Sequence, residues 1–118
     1  MKTLVFGASL KPQRYANRAI HALVSNNVPV VAYGLRNGAV AGVEIDTELV
    51  DYQDIDTITL YLNPTRQKEY YQYLIQLGPK RIIFNPGTEN PEFQEVLIEK
   101  GIQFENACTL VMLSIGNY

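Results

Sequence analysis

The sequence predicts an α/β fold: one domain over residues 1–118, built on a five-stranded, mostly parallel sheet with helices on both faces. Three observations predict it. Apolar runs such as Thr3–Phe6, Val28–Tyr33 and Thr57–Leu62 do not alternate with polar residues, as expected of strands buried on both sides. Segments with helical spacing of apolar residues lie between them, in the strand–helix–strand rhythm of parallel crossovers. Gly, Pro and Asn gather where strands hand over to the next element, which is one end of such a sheet.

Taken in order, the first strand is Lys2–Phe6, and a Gly-Ala-Ser turn follows it. A helix from Tyr15 to Asn26 carries Ala16, Ile20, Leu23 and Val24 on one stripe, and Asn26-Asn27 stops it. Val28–Tyr33 is the second strand, with Pro29 near its start, where a missing N–H does least harm. Gly34–Gly38 reads as a turn-rich loop, Val43–Ile45 as a short extended piece, and Leu49, Val50 and Tyr52 as a brief turn. The third strand is Thr57–Leu62. Asn63-Pro64-Thr65 then caps a helix from Arg66 to Gln76, stopped by Gly78-Pro79. Arg81–Phe84 is the fourth strand, Glu92–Lys100 a helix ended by Gly101, and Ile102–Glu105 the fifth strand. The tail Ala107–Ile115 is apolar enough for a closing helix or an extended cover.

Composition narrows the function classes. A net charge of −2 with 19% charged residues argues against a duplex nucleic-acid binder, which presents a strongly basic face. Any positive site is therefore local. Cys108 is the single cysteine and His21 the single histidine, so neither a disulfide framework nor a Cys/His metal cluster can be built. Met1-Lys2-Thr3 enters a strand directly, without a signal peptide, and no apolar run approaches the roughly 18 residues of a membrane span. These features predict a protein of a reducing cytoplasm that contacts neither membrane nor nucleic acid.

The stretch Thr3–Asn17 carries the chemistry. A strand feeding through a glycine turn into a helix makes an anion site: free N–H groups of the first turn face the loop, and the helix dipole adds about half a positive charge. Lys11 and Arg14 stand beside it. A dinucleotide fingerprint would be G-x-G-x-x-G, whereas here Ser9 and Pro12 replace the second and third glycines. After the second strand comes Tyr33-Gly34-Leu35-Arg36, with no acid until Glu44. An Arg at that place suits a ligand phosphorylated on its adenosine ribose, a property of both coenzyme A and NADP; otherwise it is a solvated surface residue.

Five pieces in this order, G-A-S-x-K-P-x-R-Y-x-N (Gly7–Asn17), G-V-E-I (Gly42–Ile45), Asn63-Pro64, F-N-P-G-T-E-N (Phe84–Asn90) and E-N-A-C (Glu105–Cys108), span nearly the whole chain. In them the sequence resembles the coenzyme A-binding domain family, small Rossmann-like domains also found at the start of succinyl-CoA synthetase α chains. The resemblance implies that Ser9–Arg14 and the helix start at Tyr15 hold a pyrophosphate. It also implies that Arg36 meets the phosphorylated adenosine end, and that Asn63 and Pro64 border the adenine or its ribose. Synthetase chains of this type carry a catalytic phosphohistidine in a further domain; His21 does not fall in its context.

The candidate contact set is therefore Gly7, Ala8, Ser9, Lys11, Arg14, Tyr15, Asn17, Tyr33, Arg36, Asn63, Pro64, Asn85, Asn106 and Cys108, with no catalytic residue and no metal ligand. Tyr15 and Tyr33 could stack on a base. Asn85 and Glu89 read equally as ligand contacts or as turn and capping residues. Cys108 reads as a packed residue or as a reactive thiol near a helix start. Tyr70, Tyr71 and Tyr73 share one helix, and since at most two can face the core, an exposed aromatic patch is expected; it reads either as a surface for homo-oligomerisation or as ordinary polar-tipped surface tyrosine. The leading function is a stand-alone protein binding coenzyme A or an acyl-CoA, without chemistry of its own. A small NADP-dependent reductase and an interaction module that has lost its ligand are the alternatives.

Overall fold

A computed structural model describes residues 2–118. Met1, from which a direct entry into the first strand is expected, lies outside the described residues. The central strand, β1 (Lys2–Ala8), pairs in parallel with β2 (Val30–Gly34) on one side and β5 (Ile55–Leu60) on the other. Its alternation divides the core. Leu4 and Phe6 face a cluster with Leu74, Phe93 and Leu97, whereas Val5 faces a cluster with Ala16, Ile20 and Leu23, which Ala8 joins because the register shifts between Phe6 and Ala8. Helix α1 (Tyr15–Ser25) covers the second face, beside α5 (Thr109–Ser114). The first face is covered by α2 (Pro64–Gln67), α3 (Tyr71–Gln76) and α4 (Pro91–Lys100).

The sheet has seven strands, in the order β3-β4-β2-β1-β5-β6-β7, rather than five. The parallel members β6 (Arg81–Phe84) and β7 (Gln103–Asn106) fall within one residue of expectation. The two further strands are β3 (Gly38–Val40) and β4 (Val43–Asp46), the latter the expected short extended piece; they form a hairpin whose second strand joins β2 in parallel. Between Val40 and Val43 stand only Ala41 and Gly42, both at positive φ (50° and 81°), the backbone of a tight two-residue hairpin turn. A three-residue strand is too short to show a pattern, so the sequence shows only a loop.

The second helix departs from expectation in a way that matters. Asn63 caps it, its Oδ1 accepting from the Arg66 N–H at 2.9 Å, with Pro64 at the first helical position. After Gln67 the chain tightens into a 3₁₀ turn (Lys68–Tyr70) before α3 begins. That change of pitch turns all three tyrosines inward. Tyr70 meets the Phe6 ring edge-on at 5.1 Å, and Tyr71 stacks on Phe93 at 4.2 Å. Tyr73 lies near Phe6 and donates to the Val50 carbonyl. The expected exposed aromatic patch is absent; it assumed one unbroken helix. On α1, Val24 is also exposed, and Ala19 takes its place in the buried stripe.

β1 and β2 touch most closely at their carboxyl ends. A Cβ on Gly34 would lie 2.4 Å from the Ala8 carbonyl oxygen, and neither backbone can retreat without unpairing the strands. Gly34→Ala is therefore expected to cost about 1–3 kcal/mol. In thermal unfolding that is a drop on the order of 5–10 °C, and an unchanged midpoint would show that the two strands part more easily than this contact implies.

Candidate functional site

Strand order reverses between β1 and β5: the chain steps outward from β1 through β2 to β4, then returns to β5 at the other side of β1. The loops after β1 and β5 leave toward opposite faces, opening a crevice at the carboxyl edge, where ligands of open α/β sheets bind. A groove of about 530 Å³ occupies that place.

Gly7 makes the first wall possible. Its φ of 101° and a built Cβ only 3.1 Å from the Tyr61 backbone exclude a side chain. The loop Ser9–Arg14 then holds its own shape. Ser9 Oγ accepts from the Lys11 N–H, the Arg14 N–H donates to the Lys11 carbonyl, and buried Asn17 donates through Nδ2 to the Ser9 carbonyl at 2.9 Å. The first turn of α1 has no side-chain cap and no acid, so its N–H groups and dipole are open to an anion. Lys11 and Arg14 line the groove beside it.

The second wall comes from the β2 and β5 loops. Tyr33 is buried, stacked on Phe6 at 4.8 Å, and its hydroxyl is pushed up to about 12 by burial and by the neighbouring Tyr70 hydroxyl. Arg36, exposed after β2, and Asn63, at the cap of α2, complete what the sequence led us to expect here. Arg66 joins them, a fourth cation that sequence reading missed. One signal was available: Arg66 follows directly on Asn63-Pro64-Thr65, the helix start that the sequence already placed beside the site.

Gly7, Ala8, Ser9, Lys11, Arg14, Tyr15, Tyr33, Arg36 and Asn63 thus line one groove. Pro64, Asn17, Asn85, Asn106 and Cys108 do not. Pro64 begins α2, and Asn17 braces the phosphate-side loop from behind. Asn85 is buried and joins three elements: Nδ2 donates to Thr59 Oγ1 (2.6 Å) and the Leu60 carbonyl (2.9 Å), and Oδ1 accepts from the Thr109 N–H (2.9 Å). Asn106 accepts from Gln94 at 2.8 Å, and Cys108 is half-buried just ahead of α5. Glu89 accepts from the Gly87 N–H at 2.8 Å, closing its own turn.

A buried amide that sequence reading passed over sets the far side. Gln67 donates through Nε2 to the carbonyls of Leu62 and Thr88, both at 2.8 Å, and its Oε1 accepts from Asn90. Leu62 and Thr88 belong to two different loops of the groove. Among the described residues no cluster of three His, Cys, Asp or Glu side chains could hold a metal ion, and no helix is long and apolar enough to cross a membrane.

Comparison with known proteins decides the family. The model of the CoA binding domain family matches residues 1–114. The chain belongs to that family. A crystal structure described as that of an uncharacterized protein is 45% identical, with a TM-score of 0.96 over 99% of this chain and 97% of that one. A hypothetical protein from Pyrococcus horikoshii OT3 is 26% identical, with a TM-score of 0.86 over 96% of this chain and 81% of that one. Cell-free ID.343 from Thermus thermophilus, 22% identical, shares the fold at a TM-score of 0.86 over 99% and 90% of the two chains. No curated protein matches the chain.

Two outcomes are expected of this geometry. Asn85→Ala, which strands the Thr109 N–H and the Leu60 carbonyl, should cost on the order of 2–3 kcal/mol in denaturant unfolding. The hydroxyls of Tyr33, Tyr61 and Tyr73 are each raised to about 12, chiefly by burial. The native state thus holds protons that the unfolded chain, with tyrosines near 10, releases. Stability should be level below about pH 10 and fall steeply toward pH 12, with these three tyrosines ionising together with unfolding. Ionisation of these three, resolved by Tyr→Phe variants, in a protein that is still folded would contradict it.

Proposed function

We propose that this chain binds coenzyme A or an acyl-CoA in the groove at the carboxyl edge, as a binding protein of the cytoplasm without chemistry of its own. One observation carries the reading: four cations, Lys11, Arg14, Arg36 and Arg66, converge on one groove in a chain whose net charge is −2. Local concentration of positive charge in an acidic protein indicates a polyanionic ligand. Coenzyme A brings a diphosphate and a separate ribose phosphate, which suits cations spread over three loops rather than one.

The roles follow from position. The open N-terminus of α1 with Lys11 and Arg14 suits the diphosphate, as helix N-termini do for phosphates in general. Arg36 after β2 suits the phosphate on the ribose, since the adenosine of ligands in such folds lies over the end of that strand. Tyr15, exposed and with the Arg18 guanidinium 5.5 Å from its ring centre, offers a face on which a base can stack. Tyr33 stays a neutral donor at ordinary pH. Arg66 adds a second charge from the β5 side.

The test is thermal unfolding with CoA, 3′-dephospho-CoA, NADP, NAD and ATP. A ligand at about 100 times its Kd adds roughly 2.7 kcal/mol to stability, a rise on the order of 10 °C for a domain of this size. CoA should give that rise, and dephospho-CoA a smaller one. Lys11→Ala with Arg36→Ala should remove it while leaving the unliganded midpoint in place. Arg66→Ala should weaken binding by about 10- to 100-fold, the loss of one charge-assisted contact. A larger rise with NADP would indicate a reductase instead, and no rise with any of them would leave a fold whose work lies with protein partners.

A further inference from the structure

The groove is unequal from end to end. On the β1–β2 side it is lined by large apolar and charged side chains: Leu10, Tyr15, Leu35, Lys11, Arg14 and Arg36. On the β6 side its lining is Pro86, Gly87 and Thr88. Pro86 and Gly87 are exposed, and Thr88 is held inward, its hydroxyl donating to the Asn85 carbonyl. A Cβ built on Gly87 meets nothing within 4 Å, so this end opens directly to solvent. None of the three residues offers a large apolar wall or a positive charge. The nearest ionised group of that turn is Glu89, whose carboxylate accepts from the Gly87 N–H at 2.8 Å.

Resting on the coenzyme A reading above, we infer that the protein grips the nucleotide half of its ligand and leaves the thiol end free over the Pro86–Thr88 turn, so that it binds free CoA and CoA thioesters alike. The charges fix the direction. Three of the four cations and the open helix stand on the β1–β2 side, which suits the phosphates; the uncharged pantetheine arm then runs the other way, past Arg66 on the β5 side, toward the β6 turn, whose lining residues carry no cation. An acyl group on the sulfur would then project past Gly87 into water. It would find no apolar chamber to enter and no wall to strike. A groove of about 530 Å³ is within the usual range for small-molecule sites, roughly 300–1,000 Å³. The ligand class is therefore CoA and its thioesters irrespective of chain length, held with the sulfur accessible to a second protein or reagent.

The experiment is calorimetric titration of the protein with CoA, acetyl-CoA, octanoyl-CoA and CoA carrying a bulky fluorophore on its sulfur. Each methylene taken into an apolar wall would tighten binding about fourfold. An enclosed octanoyl chain would thus outbind acetyl by more than about a thousandfold. The expected result is that all four dissociation constants agree within about threefold. Octanoyl-CoA binding far more tightly would reveal an apolar chamber and overturn the inference. A fluorophore conjugate binding more than about tenfold more weakly than CoA would show a walled thiol end and do the same. Either result leaves the coenzyme A reading standing, whereas failure of all four to bind removes that reading and this inference with it.

Discussion

Everything about the groove depends on β1 having a parallel neighbour on each side. Two connections that depart from adjacent strands toward opposite faces cannot close over the gap between them, so the crevice is a product of topology before any side chain is chosen. Close packing then makes the crevice narrow and fixed. The backbone after Phe6 passes so near Tyr61 that only glycine fits at position 7, and the end of β2 lies so near Ala8 that only glycine fits at position 34. These two contacts, one on each side of β1, set the floor on which a ligand would lie.

Electrostatics builds on that floor at some expense to the unliganded protein. Arg14 stands at the start of α1, where the helix dipole favours an anion, and Arg66 lies in the short α2 on the other side of the groove. Lys11 and Arg36 bring two more positive charges to the same groove. Nothing in folding calls for this arrangement, and moving any of these charges elsewhere on the surface would relieve it. Such local conflict between stability and placement is the pattern expected where a site is retained for binding. The loop that carries two of the charges is held by Asn17 and by its own turn, so its shape does not depend on a ligand.

Much of this was legible in the sequence, for identifiable reasons. Strands buried on both faces announce themselves as unbroken apolar runs, and helix ends as Asn-Pro and Gly, which is why α1, α4, β1, β6 and β7 lie where expected within a few residues. The phosphate-side loop was legible because a strand, a glycine and a cation pair are local in sequence. What stayed hidden is tertiary. The Gly38–Val40 strand has no pattern of its own and exists only through pairing with β4. The switch of pitch at Lys68–Tyr70 follows from the need to bury three tyrosines against Phe6 and Phe93, partners distant in sequence. Asn85 reads in the sequence as a ligand contact or a turn residue, and Gln67 attracts no reading, because the carbonyls they hold belong to segments distant in sequence or to a neighbouring loop.

Gln67 has a consequence for how such a protein can diverge. One amide spans the loops after β5 and β6, so the distance between them is set by the length of a single buried side chain that is not itself part of the groove lining. Shortening that spacer by one carbon would draw the loops together or leave them unlinked, and either change would reshape the ligand's surroundings without altering one residue it touches. In this fold, ligand preference is therefore heritable through the interior as well as through the contact surface. Two descendants with identical groove-lining residues could recognise different molecules.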